Sequence, residues 1–115
     1  MGYAYKCGEG VEQNFEEAVK WYRLAAEQGF VESQYNLGNA YKRGEGVEHN
    51  FEEAVKWWRL AAEQGDADAQ LNLGNAYKRG VGVEQNMEEA VKWWRLAAEQ
   101  GEEKAIEALK SLQNE

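Results

Sequence analysis

The block Gly-Val-Glu-x-Asn-x-Glu-Glu-Ala-Val-Lys-Trp begins at Gly10 and returns at Gly46 and again at Gly82, a step of 36 residues each time. Self-similarity at a fixed period of this size restricts a chain to stacked architectures, because one short unit cannot bury its own apolar surface. Residues 31–66 and 67–102 differ at only eight of 36 positions, namely 31, 32, 33, 35, 45, 49, 51 and 66. Such uniformity is what recent duplication or a consensus-type design produces. Residues 1–30 follow the same template from its seventh position, so the first repeat lacks the opening six residues. The expected organisation of the 115-residue chain is a single repeat domain, 1–115. It comprises a truncated first repeat (1–30), a second (31–66), a third (67–102) and a C-terminal capping helix (103–115).

Each unit reads as two helices. The chain contains twelve glycines and no proline, which suits helices joined by glycine-containing turns and disfavours a β-rich fold. Helix A is expected over 32–43 and 68–79, with Leu37, Ala40 and Tyr41 on one side and Gly44 as its stop. Helix B is expected over 51–64, where Phe51, Ala54, Val55, Trp58, Ala61 and Ala62 follow the helical period and Trp57 and Leu60 widen the apolar arc. Asn50 stands at the N-cap position with Glu53 three residues on, a capping-box spacing repeated at Asn14/Glu17 and Asn86/Glu89. Glu52 precedes Lys56 by four residues, as Glu16 precedes Lys20 and Glu88 precedes Lys92, the favourable order for a surface ion pair.

Stacking such hairpins predicts an all-α, right-handed superhelical α-solenoid of antiparallel helix pairs. In residues 103–114 Lys110 replaces the glycine of Gly38 and Gly74, so this segment reads as a polar cap that turns Ala105, Leu109 and Leu112 inward. At the other end, Phe15, Val19 and Tyr22 have only residues 1–7 as a partner helix. An exposed apolar edge and self-association into a homo-oligomer through the incomplete first repeat are expected there.

Charge and composition exclude several functions. Thirteen Lys and Arg against twenty-one Asp and Glu give a net charge of −8, which repels a phosphate backbone, so nucleic acid is not an expected partner. No apolar run approaches the roughly 20 residues that span a bilayer, and no signal peptide is evident, so a soluble chain with no membrane partner is expected. The lone Cys7 cannot form an internal disulfide, and the compartment stays open.

Residues that invite a chemical reading have simpler ones. Trp21, Trp57, Trp58, Trp93 and Trp94 hold fixed places in helix B and are packing residues first. The Gly8/Gly10, Gly44/Gly46 and Gly80/Gly82 pairs occur once per repeat without a following Gly-Lys-Ser/Thr, so they are turns and not phosphate loops. His49 corresponds to Gln13 and Gln85, and no second histidine completes a metal site. The paired glutamates start helices, where the dipole accounts for them. No nucleophile has a matching base, so no enzyme, cofactor or metal is expected.

The run Gln34-Tyr35-Asn36-Leu37-Gly38-x-x-Tyr41-x-x-Gly44-x-Gly46-Val47, followed by Ala54-x-x-Trp57-Trp58-x-x-Ala61-Ala62-x-x-Gly65, resembles the Sel-one-like repeat (SLR) family, a tetratricopeptide-like branch. Glu48 and Asn50 stand where that family usually has proline and aspartate, which leaves the turn looser. The resemblance implies adaptor or scaffold work with a protein or extended peptide as partner. It also implies that the side of helix A turned away from Leu37 and Tyr41 lines a concave groove. That side carries Tyr35, Asn36, Asn39, Lys42 and Arg43, then Leu71, Asn72, Asn75, Lys78 and Arg79, together with Glu32 and Asp68. Asparagine amides beside Lys and Arg suit a peptide backbone and its terminal carboxylate, although cations in a last helical turn also offset the helix dipole. A purely structural or self-assembling scaffold is the alternative. A β-lactam-binding enzyme is remote, because the cysteines of the cysteine-rich relatives would fall near Ala62 and Gln70, which are not cysteine.

Overall fold

A computed structural model describes residues 14–113 of the chain. Among these residues lie six α-helices and no strand: α1 (Phe15–Glu27), α2 (Val31–Arg43), α3 (Phe51–Glu63), α4 (Ala67–Arg79), α5 (Met87–Glu99) and α6 (Glu103–Gln113). Helices α2 and α4 are the A helices of their repeats, α1, α3 and α5 the B helices, and α6 takes the place of a further A helix. The partner segment at residues 1–7, with Cys7, and the Gly8/Gly10 turn lie outside the described residues.

Local sequence chemistry sets the helix ends. The side-chain oxygens of Asn14, Asn50 and Asn86 accept from the backbone N–H groups of Glu17, Glu53 and Glu89, at 2.9, 3.1 and 3.1 Å. These are N-caps worth about 1 kcal/mol each. Asp66 does the same for α4 by accepting from the Ala69 N–H at 2.8 Å, whereas Phe30 gives α2 no side-chain cap. At the other ends of α2 and α4, Gly44 and Gly80 adopt left-handed conformations with φ of 69° and 70°. Each returns its N–H to a helix carbonyl, that of Ala40 or Ala76. Glycine does this without a Cβ penalty.

Helices pack on their neighbours in chain order, giving a body of 49 × 27 × 26 Å. The central core joins Ala54, Val55, Trp58, Ala61 and Ala62 of α3 to Ala69, Leu73 and Ala76 of α4 and Trp93 of α5. Alanines let the helix axes approach, and the tryptophans fill what remains. At about 25 cal/mol per Å², each buried indole contributes on the order of 4–6 kcal/mol of transfer free energy, which chain entropy then opposes. Glycine makes the same seam possible within each hairpin. A Cβ on Gly38 would lie 2.6 Å from Cδ1 and Nε1 of Trp58, and one on Gly74 would lie 2.5 Å from Cδ1 of Trp94. Lys110 occupies the matching position on α6, where no B helix follows among the described residues.

Polar bonds hold successive repeats in register. Arg23 of α1 donates to the hydroxyl of Tyr41 on α2, and Arg59 of α3 to that of Tyr77 on α4. Buried Gln34 donates to the Ala26 carbonyl at 3.2 Å and accepts from Gln64 at 2.8 Å. Gln70 repeats the arrangement with Ala62 and Gln100, both at 3.1 Å. Gly82, with φ of 78°, sits so close to α3 that a Cβ there would lie 2.6 Å from the Phe51 carbonyl oxygen.

Several expectations need correction. The capping boxes are only half formed, because the Asn50 and Asn86 N–H groups donate to the carbonyls of Tyr41 and Tyr77 in the preceding helix. Glu53 and Glu89, left without a cap to make, approach Lys56 at 3.9 Å and Lys92 at 3.7 Å. These contacts at three-residue spacing stand where pairs from Glu52 and Glu88 were expected, and no Glu16–Lys20 ion pair forms. Leu60 is exposed, as are Leu24 and Leu96, because it lies one step beyond Trp57 around the helix, past the edge of the packed arc. Val19 is buried and Tyr22 packs on the same cluster, with Leu37, Ala40 and Trp57. The second repeat covers the side of α1 that they occupy, whereas Phe15 is exposed, together with Trp21 and Leu24.

Candidate functional site

The A helices present a series of polar side chains repeated at the 36-residue period. Lys42, Arg43, Lys78 and Arg79 occupy the last turns of α2 and α4 and are exposed. Asn36 and Asn72 are half-buried one to two turns earlier. Between them, Asn39 and Asn75 have a structural duty that the sequence does not announce. Their Oδ1 atoms accept from the indole Nε1–H groups of Trp58 and Trp94, both at 3.2 Å. Each amide is therefore oriented, with its oxygen engaged and its NH2 group uncommitted among the described residues. Lys78 Nζ lies 6.0 Å from the Trp94 ring centroid, within reach of a cation–π contact.

Two of the ten expected groove residues do not belong to this polar series. Leu71 is buried with Ala90, Trp94, Ala97 and Ala105, and Tyr35 packs against the central core. Their position looks toward the seam with the following helices, so stacking covers it. The other eight, Asn36, Asn39, Lys42, Arg43, Asn72, Asn75, Lys78 and Arg79, keep part or all of their surface in solvent.

Negative charge gathers at the starts of the A helices, away from those cations. Burial raises the Asp66 carboxyl above its ordinary value; the Ala69 N–H opposes this, while the charges of Asp68 and Glu32 add to it. A hydrogen bond shared with Asp68, then burial, raises Glu102. Among the described residues no group of three or more His, Cys, Asp or Glu is placed to hold a metal ion, and no helix is long and apolar enough to cross a membrane. A shallow open depression of about 610 Å³ on the B-helix side is lined by Arg59, Tyr77, Val83, Glu84, Glu89 and Lys92 among others. Its charges are mixed.

Fold and surface together define a helical-repeat solenoid of paired antiparallel helices. The Sel1 repeat model matches residues 1–30, 31–66 and 67–102, and the chain belongs to the Sel1 repeat family, whose members are generally protein-interaction scaffolds. The structure is similar to that of a Sel1 repeat protein from Oxalobacter formigenes, with TM-score 0.83 and 49% identity, over 90% of this chain and 43% of that one. It is similar as well to a protective antigen of uropathogenic Escherichia coli that displays an SLR fold, with TM-score 0.81 and 47% identity, over 87% of this chain and 21% of that one. Cysteine rich protein B of Helicobacter pylori is more distant, with TM-score 0.76 and 27% identity, over 80% and 69% of the two chains. The chain thus spans less than half the length of the first two. Among curated proteins none matches.

Proposed function

We propose that the chain is a non-enzymatic binding scaffold whose A-helix face holds an extended peptide segment of a protein partner. The observation that carries this reading is the repetition, on α2 and α4, of an asparagine amide oriented by a buried indole beside exposed Lys and Arg. An amide whose oxygen is engaged offers its NH2 group as a donor to a peptide carbonyl. The nearby cations suit a carboxylate, with the planar guanidinium of Arg43 or Arg79 able to take it in bidentate fashion. Two such sets in register suit a ligand read along its length, as β-strand and extended-peptide grooves do.

The test is selection from a library of peptides with free C-termini, followed by titration of the best binder. Replacing Lys42, Arg43, Lys78 and Arg79 together by alanine is expected to weaken binding at least about tenfold and to flatten its salt dependence, with the helical signal intact. Amidating the peptide C-terminus should cost affinity on the unsubstituted chain only. Unchanged affinity in the quadruple variant rejects the site.

A further inference from the structure

Helices α2 and α4 carry the same order of charge along one face. Glu32, Asn36, Asn39 and Arg43 stand at i, i+4, i+7 and i+11, the spacing that lines up a single side of a helix. Asp68, Asn72, Asn75 and Arg79 repeat the order on α4, and all eight keep surface in solvent. With Lys42 and Lys78 beside the arginines, one edge of the face is acidic and the other basic. The two edges lie about 16 Å apart at 1.5 Å per residue, and the asparagines occupy the middle. A helix dipole favours acids at the start and cations at the end, but α1, α3 and α5 have two glutamates in the first turn and no basic residue in the last. The dipole therefore does not require the basic row. On α6, Lys104 takes the place of Glu32 and Asp68, so the order stops at α4. Neither row is neutralised among the described residues, where the ion pairs are those of Lys56 and Lys92 on α3 and α5. The acidic ends crowd one another across repeats: Asp66, raised first by burial, is raised further by the charges of Asp68 and Glu32.

Resting on the reading of this face as a peptide groove, we propose that its ligand is an extended segment in which basic and acidic residues alternate. Successive side chains of a strand point to opposite sides, so alternation sorts Lys or Arg into one row and Asp or Glu into the other. Glu32 and Asp68 take the cations, and Arg43, Arg79 and the neighbouring lysines take the carboxylates. A backbone laid over the asparagines runs about 8 Å from either edge, a gap that two facing side chains close between them. With the side chains turned to the edges, alternate carbonyls of the strand point down at the surface. There the NH2 groups of Asn39 and Asn75, held by the indoles behind them, donate to them. A segment of one sign is attracted by one edge and repelled by the other, so the face selects against purely acidic and purely basic ligands.

The test is calorimetric titration with two acetylated peptides of identical composition, one of four Lys-Glu units in alternation, the other of four lysines followed by four glutamates. The alternating peptide is expected to bind at least about tenfold more tightly, and less so as salt screens the contacts. Glu32→Gln combined with Asp68→Asn neutralises the acidic row at two exposed positions that cap no helix, and should weaken the alternating peptide at least about fivefold. Replacing the same two residues by lysine should transfer the preference to a peptide of eight glutamates. Circular dichroism melts confirm that both variants fold. No binding of the alternating peptide, equal affinity for the two peptides, or an affinity indifferent to the acidic row overturns the proposal. Substitution of Lys42, Arg43, Lys78 and Arg79 by alanine separates the two readings. If binding depends on those cations but not on the acidic row, the charge order fails and the groove stands; if it depends on neither, the groove fails as well.

Discussion

The indole N–H of Trp58 donates to the side-chain oxygen of Asn39 at 3.2 Å, tying a core residue of α3 to a surface-facing residue of α2. Trp94 and Asn75 repeat it. Trp57 and Trp93, by contrast, bury their Nε1 atoms without a protein partner, a cost that falls on neither Trp58 nor Trp94.

Asn39→Ala leaves the Trp58 N–H unpaired in a largely desolvated place. The expected loss is about 1–3 kcal/mol in urea unfolding, whereas Asn39→Asp keeps the acceptor and should lose less. A stability unchanged by Asn39→Ala would mean that water satisfies the indole equally well.

Gly38→Ala sets helix propensity against packing. Alanine favours the helix by about 1 kcal/mol, yet its Cβ would lie 2.6 Å from Trp58, and overpacking of this kind costs about 1–3 kcal/mol. Net destabilisation is expected, and Trp58→Phe should partly relieve it in a double-mutant cycle. Lys110→Ala, at the matching place on α6, should be nearly neutral in thermal melts.

Acid should stabilise this fold before it unfolds it. The folded state holds the Asp66 carboxyl above its ordinary value of 3.8, and that of Glu102 above 4.5. It therefore binds their protons more readily than the unfolded chain does, and stability falls as pH rises through and above those ordinary values. Going from pH 7 down toward the carboxylate range should raise the melting temperature. Asp66→Asn keeps an N-cap while removing the buried charge, so it should flatten the pH profile and leave the neutral-pH stability equal or higher. A profile as steep in the variant as in the parent would assign the effect to other groups.

What could be read in the sequence was what neighbours along the chain decide. Asn50 as a cap, Gly44 as a stop and the Leu37/Ala40 stripe depend on residues within a turn or two, and a 36-residue period makes each judgement three times over. The misplacements concern what lies across a seam. Val19 faces α2 and α3 of the next repeat, Leu71 packs on α5 of its own repeat and on Ala105 beyond it, and Tyr35 packs on a cluster drawn from α3, α4 and α5; periodicity shows that a residue is apolar or peripheral without showing which neighbour covers it. Glu53 paired with Lys56 because Asn50 gave its N–H to Tyr41, nine residues earlier, a bond with no local signature. On the candidate face, the Lys and Arg were visible as charges in last turns. The double duty of Asn39 and Asn75 was not, although Trp recurring 19 residues after Asn, at Trp58 and Trp94, is the trace that a repeat-aware reading can use.

The bond between Asn39 and Trp58 also makes the interior optically addressable from outside. A partly exposed side chain on α2 sets the hydrogen bonding of a chromophore in the core, so anything that pulls on the Asn39 amide alters the surroundings of an indole and, with them, the colour and yield of its emission. The fold carries its own fluorescent gauge of what happens on its surface, once per complete repeat.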